Sequence, residues 1–294
     1  MAGDERSVVQ VVPAQSTIEG GGFEVYRPFP TSRADWFDPF LLLDEMAPHH
    51  HAPGMAVGAP PHPHRGFETV TYVLRGEVEH RDSAGHHGII GPGDVQWMTA
   101  GDGIVHSEMP SARIQTEGGV GHGLQLWVDL PTALRRTPPR YQALLADDHA
   151  SVDGEGWAAT VVAGPFLDVV GPAVTHTPVG ITRISVEPGA SLSIPVEAGH
   201  TALVYVLEGR AGLGSDVIGV DAHHLAVLDR HGEVVVSVPA HGARLDCVLL
   251  TGEPIGGPMV RSGPFVMSTI DELEEAYADF RAGRMGSLVA TGTV

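Results

Sequence analysis

Between Phe67 and Leu130, short runs of β-branched and aromatic residues alternate with turn signals, and few folds tolerate such frequent interruption. Phe67–Arg75 ends at Gly76, Glu77–Asp82 at Ser83-Ala84-Gly85, and His86–Ile90 at Gly91-Pro92-Gly93-Asp94. Val95–Thr99 ends at Gly101-Asp102-Gly103, and Ile104–Met109 and Leu124–Leu130 follow. Glycine, proline and aspartate favour turn backbones that would interrupt a helix. Regularly spaced short strands joined in this way predict an antiparallel sandwich or barrel. A second β-rich half runs from about Ala158 to Leu250. With 38 Gly and 23 Pro in 294 residues, the chain is expected to be all-β and long enough to bury two cores.

The two halves are weakly related. Tyr205-Val206-Leu207-Glu208-Gly209 matches Tyr72-Val73-Leu74-Arg75-Gly76. The alignment sets His62 and His64 against Pro195 and Glu197. After a gap that aligns Gly103 with Gly232, it sets His106 and Glu108 against Val235 and Ser237. The second half is therefore expected to repeat the architecture without those residues, and His200, His223, His224, His231 and His241 read as structural. Pro131, Pro138, Pro139, Asp147 and Asp148 mark a connection, with a helical turn expected at Tyr141–Leu145. The expected division is an N-terminal domain over 1–133, a connection over 134–157 and a C-terminal domain over 158–294.

Three further segments carry local signals. Residues 7–12 read as a first strand and Asp38–Glu45 as a buried strand, whereas residues 48–63, with His49, His50 and His51, read as a surface loop. Near the end, Thr269 and Glu272 form a capping-box pattern. The predicted helix presents Ile270, Leu273, Tyr277 and Phe280 on one face, has acids near its start and Arg281 and Arg284 near its end, and stops at Gly283 or Gly286.

Charge and composition narrow the chemistry. A net charge of −19, from 17 basic and 36 acidic residues, argues against direct nucleic-acid binding. Every basic residue is an arginine, so lysine Schiff-base chemistry is excluded. The single cysteine, Cys247, is expected in a core; it forms no intrachain disulfide, and any metal must be held by His, Asp or Glu. The charged opening MAGDERSVVQ and the lack of a run of roughly eighteen apolar residues predict neither a secretory signal nor a membrane span, and a cytoplasmic monomer is expected.

Two residue pairs remain: His62 with His64, and His106 with Glu108. Residues two apart on a strand share a face, so each pair can aim two ligands at one point. Three imidazoles and a carboxylate suit one divalent Fe, Mn, Ni, Cu or Zn ion. Four protein ligands leave room on an octahedral ion for oxygen or a chelating substrate, which favours Fe(II) chemistry over a closed zinc site. Glu108 is also the candidate catalytic base toward a phenolic hydroxyl. His80, Glu68 and Trp97 are candidate neighbours.

The sequence resembles the pirin family of bicupin proteins. The resemblance is carried by Asp38-Pro39-Phe40-Leu41-Leu42-Leu43-Asp44-Glu45, by His62-Pro63-His64-Arg65-Gly66-Phe67-Glu68-Thr69-Val70-Thr71-Tyr72 and by the segment from Gly91 to Gly101. It continues through His106-Ser107-Glu108-Met109-Pro110, Gly263-Pro264-Phe265-Val266-Met267 and Gly283-Arg284-Met285-Gly286. It implies two tandem cupin (jelly-roll) barrels with a metal, usually iron, in the first alone, held by His62, His64, His106 and Glu108. It further implies one of two roles. The expected one is Fe(II)-dependent cleavage of a flavonol or related enol, of the quercetin 2,3-dioxygenase type, on a small phenolic substrate. The alternative is a redox- or metal-sensing regulator that binds a transcription factor or metabolic enzyme as its protein partner. This chain departs from the family at Ser268, where members often carry Asn, and in a longer, more polar histidine loop.

Overall fold

A computed structural model describes residues 5–288. Contacts divide the chain into two units, and each is an antiparallel double-layered barrel. One unit comprises the N-terminal residues through Gln15, then 27–41 and 147–255; the other comprises 16–26, 42–146 and the chain from Gly256 onward. The contiguous division 1–133, 134–157 and 158–294 is therefore redistributed, because the N-terminal strand and the C-terminal helix each join the unit distant from them in sequence.

The first strand, Val8–Pro13, pairs with His224–Leu228 at the edge of a seven-stranded sheet, with Val12 opposite Leu225. Arg6 fixes this attachment. Its buried guanidinium donates to the carbonyls of His200, Asp229 and Glu197 at 2.8 Å and of Gly232 at 3.0 Å. Opposite the seven-stranded sheet lies a four-stranded one built from Ser191–Ile194, Val234–Ser237, Arg210–Leu213 and Ile218–Asp221. The side chains packed together in this unit are apolar, among them Ile184, Leu192, Val204, Val206, Val234, Val236 and the buried Cys247. Tyr205, at the repeat position of Tyr72, is buried as Tyr72 is.

The other unit has the same plan. Its seven-stranded sheet runs, edge to edge, through Arg140–Leu144, Val95–Thr99, Phe67–Arg75, Gly119–Asp129, Phe40–His51, Phe23–Phe29 and Gln15–Glu19. Its four-stranded sheet is ordered Ala59–His64, Ile104–Pro110, Val78–Asp82, His87–Ile90.

Two local elements differ from their expected form. The region 131–156, expected as a connection with a helical turn, contributes strands to both units: Arg140–Leu144 is an edge strand paired with Val95–Thr99, and Ala150–Gly154 pairs with Trp157–Ala163. Tyr141–Leu145 is thus extended rather than helical, because each strand satisfies the backbone groups of an otherwise open sheet edge. His49, His50 and His51 likewise end the strand Phe40–His51 instead of lying in a loop.

The C-terminal helix, Ile270–Arg281, carries the expected capping box. Thr269 accepts from the Glu272 amide at 3.2 Å, and Glu272 accepts from the Thr269 amide at 3.1 Å. Its buried face is rotated from the expected one: Leu273, Ala276 and Asp279 are buried, whereas Ile270 is 66% exposed and Phe280 39% exposed. The reason is Asp279, which is drawn inward to Arg65 at 2.8 Å. Among the described residues no helix is long and apolar enough to cross a membrane.

Because Arg6 neutralises four carbonyl acceptors that no longer face water, Arg6→Met should lower stability by roughly 3 kcal/mol. Urea denaturation of the purified variant checks this, and a change below about 0.5 kcal/mol would show that the anchor is dispensable.

Candidate metal centre

The strands Ala59–His64 and Ile104–Pro110 are antiparallel neighbours, and their register sets His106 directly opposite His62. His64 lies two residues beyond His62 and therefore on the same face. Ring centroids are 4.3 Å apart for His62 and His106, 4.8 Å for His62 and His64, and 5.0 Å for His64 and His106. One ring nitrogen from each converges with the others within 4.8 Å. His62 is half-buried, and His64 and His106 are buried.

Backbone carbonyls fix two of the tautomers. Nδ1 of His62 lies 2.8 Å from the carbonyl of Pro60, and Nδ1 of His64 lies 3.3 Å from that of Pro264. A carbonyl only accepts, so each Nδ1 carries the proton and each Nε2 keeps its lone pair for a cation. Both ring nitrogens of His106 are buried without a hydrogen-bond partner. Burial, followed by neighbouring imidazoles, holds His64 and His106 well below the ordinary histidine value. Neutral, inward-facing imidazoles with unsatisfied nitrogen are what a divalent transition metal requires of its ligands, so the residues present fit such an ion.

Glu108 stands slightly apart. The pairing with the His62 strand slips between His106 and Glu108, so that Glu108 faces Ala59. This bulge re-aims the side chain. The three histidines form a cluster that could hold a metal ion, while Oε1 of Glu108 accepts from Thr71 Oγ1 at 2.5 Å and from Gln96 Nε2 at 3.2 Å. Thr71 Oγ1 is also 2.8 Å from the Gln125 side chain. A hydroxyl has one proton. If Thr71 gives it to Glu108, the Gln125 amide must turn its NH2 toward Thr71, producing a directed chain from Gln125 to Thr71 to Glu108.

These three residues were not singled out in the sequence. Gln125 and Gln96 are the cross-strand partners of Thr71 on its two sides, and together they form a polar row on the inner face of the large sheet. Each is one polar residue among several on its strand, and only the register sets the three side by side. One step along, Trp127 and Met98 flank Thr69. The half-buried Trp127 ring packs 4.3 Å from Phe67 and 5.1 Å from His64.

The other expected neighbours separate by the same parity. His80 pairs with Glu108 across the small sheet, and its ring lies 5.5 Å from that of His106. Its Nε2 is 3.0 Å from Asp82, and its ring stacks on Tyr141. Trp97 is opposite Val70, and Glu68 is opposite Thr99, whose hydroxyl it accepts at 2.6 Å. Both therefore occupy the sheet face away from Thr71 and do not line the site.

In the other barrel the buried positions of Val234–Ser237 are Val234 and Val236, one residue off the Val235 and Ser237 that the sequence alignment set against His106 and Glu108, and no histidine cluster occurs there among the described residues. The repeat there preserves strands and omits the ligands.

Comparison with known proteins shows the family. The Pirin family profile matches residues 22–128, and that of the Pirin C-terminal cupin domain matches residues 181–286. A pirin-like protein of Arabidopsis thaliana is 41% identical over 292 residues, covering 97% of this chain and 92% of that protein. A Pseudomonas aeruginosa protein, provisionally named a quercetin 2,3-dioxygenase, is 40% identical over 269 residues, covering 90% of this chain and 93% of its own. A crystal structure of quercetin 2,3-dioxygenase from Acinetobacter baumannii superposes with a TM-score of 0.88 at 36% identity, covering 97% of this chain and all of the other.

Two outcomes are expected at this centre. His62→Ala and His106→Ala should each abolish stoichiometric metal on elemental analysis, and full occupancy in both variants would refute the assigned site. A folded-state pKa below 6.5 for His64 and His106 means that the unfolded chain takes up protons first. Metal-free protein should therefore lose stability as pH falls through about 6.5, and metal affinity should weaken in the same direction because protons compete for the ligands. Thermal melts and chelator competition across that range measure both.

Proposed function

The chain belongs to the pirin family, and we propose that it is a metal-dependent dioxygenase acting on a flavonol or a related phenolic enol, with Fe(II) as its ion. The observation that carries this reading is the juxtaposition of three converging histidines with a carboxylate held by its own hydrogen-bond row. The likeness to proteins named as quercetin 2,3-dioxygenases supports it. His62, His64 and His106, with Glu108 as the candidate fourth ligand, would hold Fe(II), which would supply Lewis acidity and one-electron chemistry when bound.

The protein's own residues do the remaining work. The half-buried Trp127, backed by the buried Phe67, offers an aromatic face beside His64 suited to a planar ring system. Thr71 and Gln96 donate to Glu108 and hold it as an acceptor, so it can take the proton from an enolic hydroxyl that approaches the histidines. Burial of His64 and His106 keeps competing water from these rings. In the net reaction the two atoms of dioxygen enter the ring-opened ester, and one ring carbon leaves with its oxygen as carbon monoxide.

Anaerobic loading with Fe(II), followed by a flavonol and oxygen, should release carbon monoxide in step with flavonol loss. Glu108→Gln should slow turnover by about 100-fold or more. Absence of turnover with every loaded divalent metal would sink the enzymatic reading and leave metal-dependent partner binding as the role to be tested.

A further inference from the structure

The segment from Pro264 to Met285 is remote in sequence from the three histidines, yet it touches the backbone beside two of them. At His64, the Pro264 carbonyl accepts from the ring Nδ1 at 3.3 Å, and the carbonyl of the next residue, Arg65, accepts from the Val266 amide at 3.0 Å. Gly66 follows at φ +92°, where a Cβ would lie 1.7 Å from the Val266 carbonyl oxygen, so the close approach of the two segments requires glycine. At His106, the hydroxyl of Ser83 accepts from the Val105 amide at 3.0 Å and donates to the Met285 carbonyl at 2.7 Å.

Arg65 connects these contacts. Its side chain is 3% exposed; Nη2 pairs with Asp279 Oδ2 at 2.8 Å, and Nε donates to the Asp102 carbonyl at 2.7 Å. Asp102 belongs to the turn that leads into the His106 strand. Asp279, on the C-terminal helix, also accepts from Arg284 Nε at 2.6 Å. One buried guanidinium therefore binds the end of the His64 strand, the start of the His106 strand and the C-terminal helix. Removing the Asp279 carboxylate would leave the buried guanidinium with only the half-exposed Asp102 carboxylate, 3.9 Å away, as ionic partner, a loss that movement of the segment would relieve.

We propose that Arg65 and Asp279 are positioning residues for the metal ligands, so that docking of the C-terminal helix and occupation of the metal centre are coupled. The proposal rests on the metal-centre reading above. Coupling of this kind is reciprocal: a helix held in place sharpens the ligand geometry, and a bound ion holds the helix. Nothing in it depends on the substrate or on whether the centre turns over.

The test uses Zn(II) and Co(II) with the full-length protein. Asp279→Ala should weaken Zn(II) affinity about tenfold or more in chelator competition, the range found for residues that support metal ligands from behind. It should also alter the visible absorption of the Co(II) protein, which reports ligand geometry. Asp279→Glu should restore part of both. Phe280→Ala, on the same helix but not bonded to Arg65, serves as the control for general loosening. In the wild type, Zn(II) should slow amide exchange in residues 270–281. Unchanged affinity and absorption in Asp279→Ala would overturn the proposal, as would an equal loss in Phe280→Ala at matched stability. Failure of the wild type to bind either ion would overturn the metal-centre reading, and the coupling with it. Metal binding by the wild type with Asp279→Ala unaffected removes the coupling alone.

Discussion

His62 and His106 face each other across one antiparallel strand pair, and the rest of the site depends on that register. Side chains alternate with a period of two, so a slip of one residue would send His106 to the opposite face and bring Val105 or Ser107 inward. The bulge immediately after His106 lets the same strand aim an imidazole at the histidine cluster and a carboxylate at the polar row of the opposite sheet. Both sheets are needed, since the small one supplies the three imidazoles and the large one supplies the donors that orient Glu108 and the aromatic wall beside His64.

Burial makes this arrangement specific. Three imidazoles in contact would repel one another if protonated, and a shielded imidazolium is costly in any case. His64 and His106 are therefore kept neutral, with lone pairs available, and the carbonyls of Pro60 and Pro264 decide which nitrogen presents one in His62 and His64. The rings pack against other rings: His106 against His80, His80 against Tyr141, and His64 against Trp127. This shell fixes orientation without supplying an alternative hydrogen-bond partner to His106.

The second barrel shows that the scaffold does not itself specify the chemistry. It repeats the seven-stranded and four-stranded sheets, yet its packed side chains are apolar. A jelly roll closes equally well around valines or around histidines, because strand pairing is a backbone property and the interior positions are free to carry either once their polar groups are satisfied. Where the interior is apolar, stability comes from burial. In the other unit, part of that burial is replaced by the Arg65–Asp279 pair and by polar rows whose members satisfy one another.

The sequence alone determined the strand-and-turn character, the capping box at Thr269, the two pairs that carry the three histidines and Glu108, and the loss of those residues from the second half. These are local properties: turn chemistry, period-two spacing and residue type can be read along the chain. It did not determine that residues 8–13 complete the second barrel, that Tyr141 lies on an edge strand, or that Glu68 and Trp97 face away while Thr71, Gln96 and Gln125 face the site. Nor did it show that an aspartate on the last helix holds the arginine beside His64, for the helical pattern pointed to Ile270 and Phe280 instead. Each of these depends on pairing between segments far apart in sequence, where the deciding terms are the satisfaction of sheet edges, cross-strand parity and the neutralisation of a buried charge, and only the tertiary structure brings those partners together.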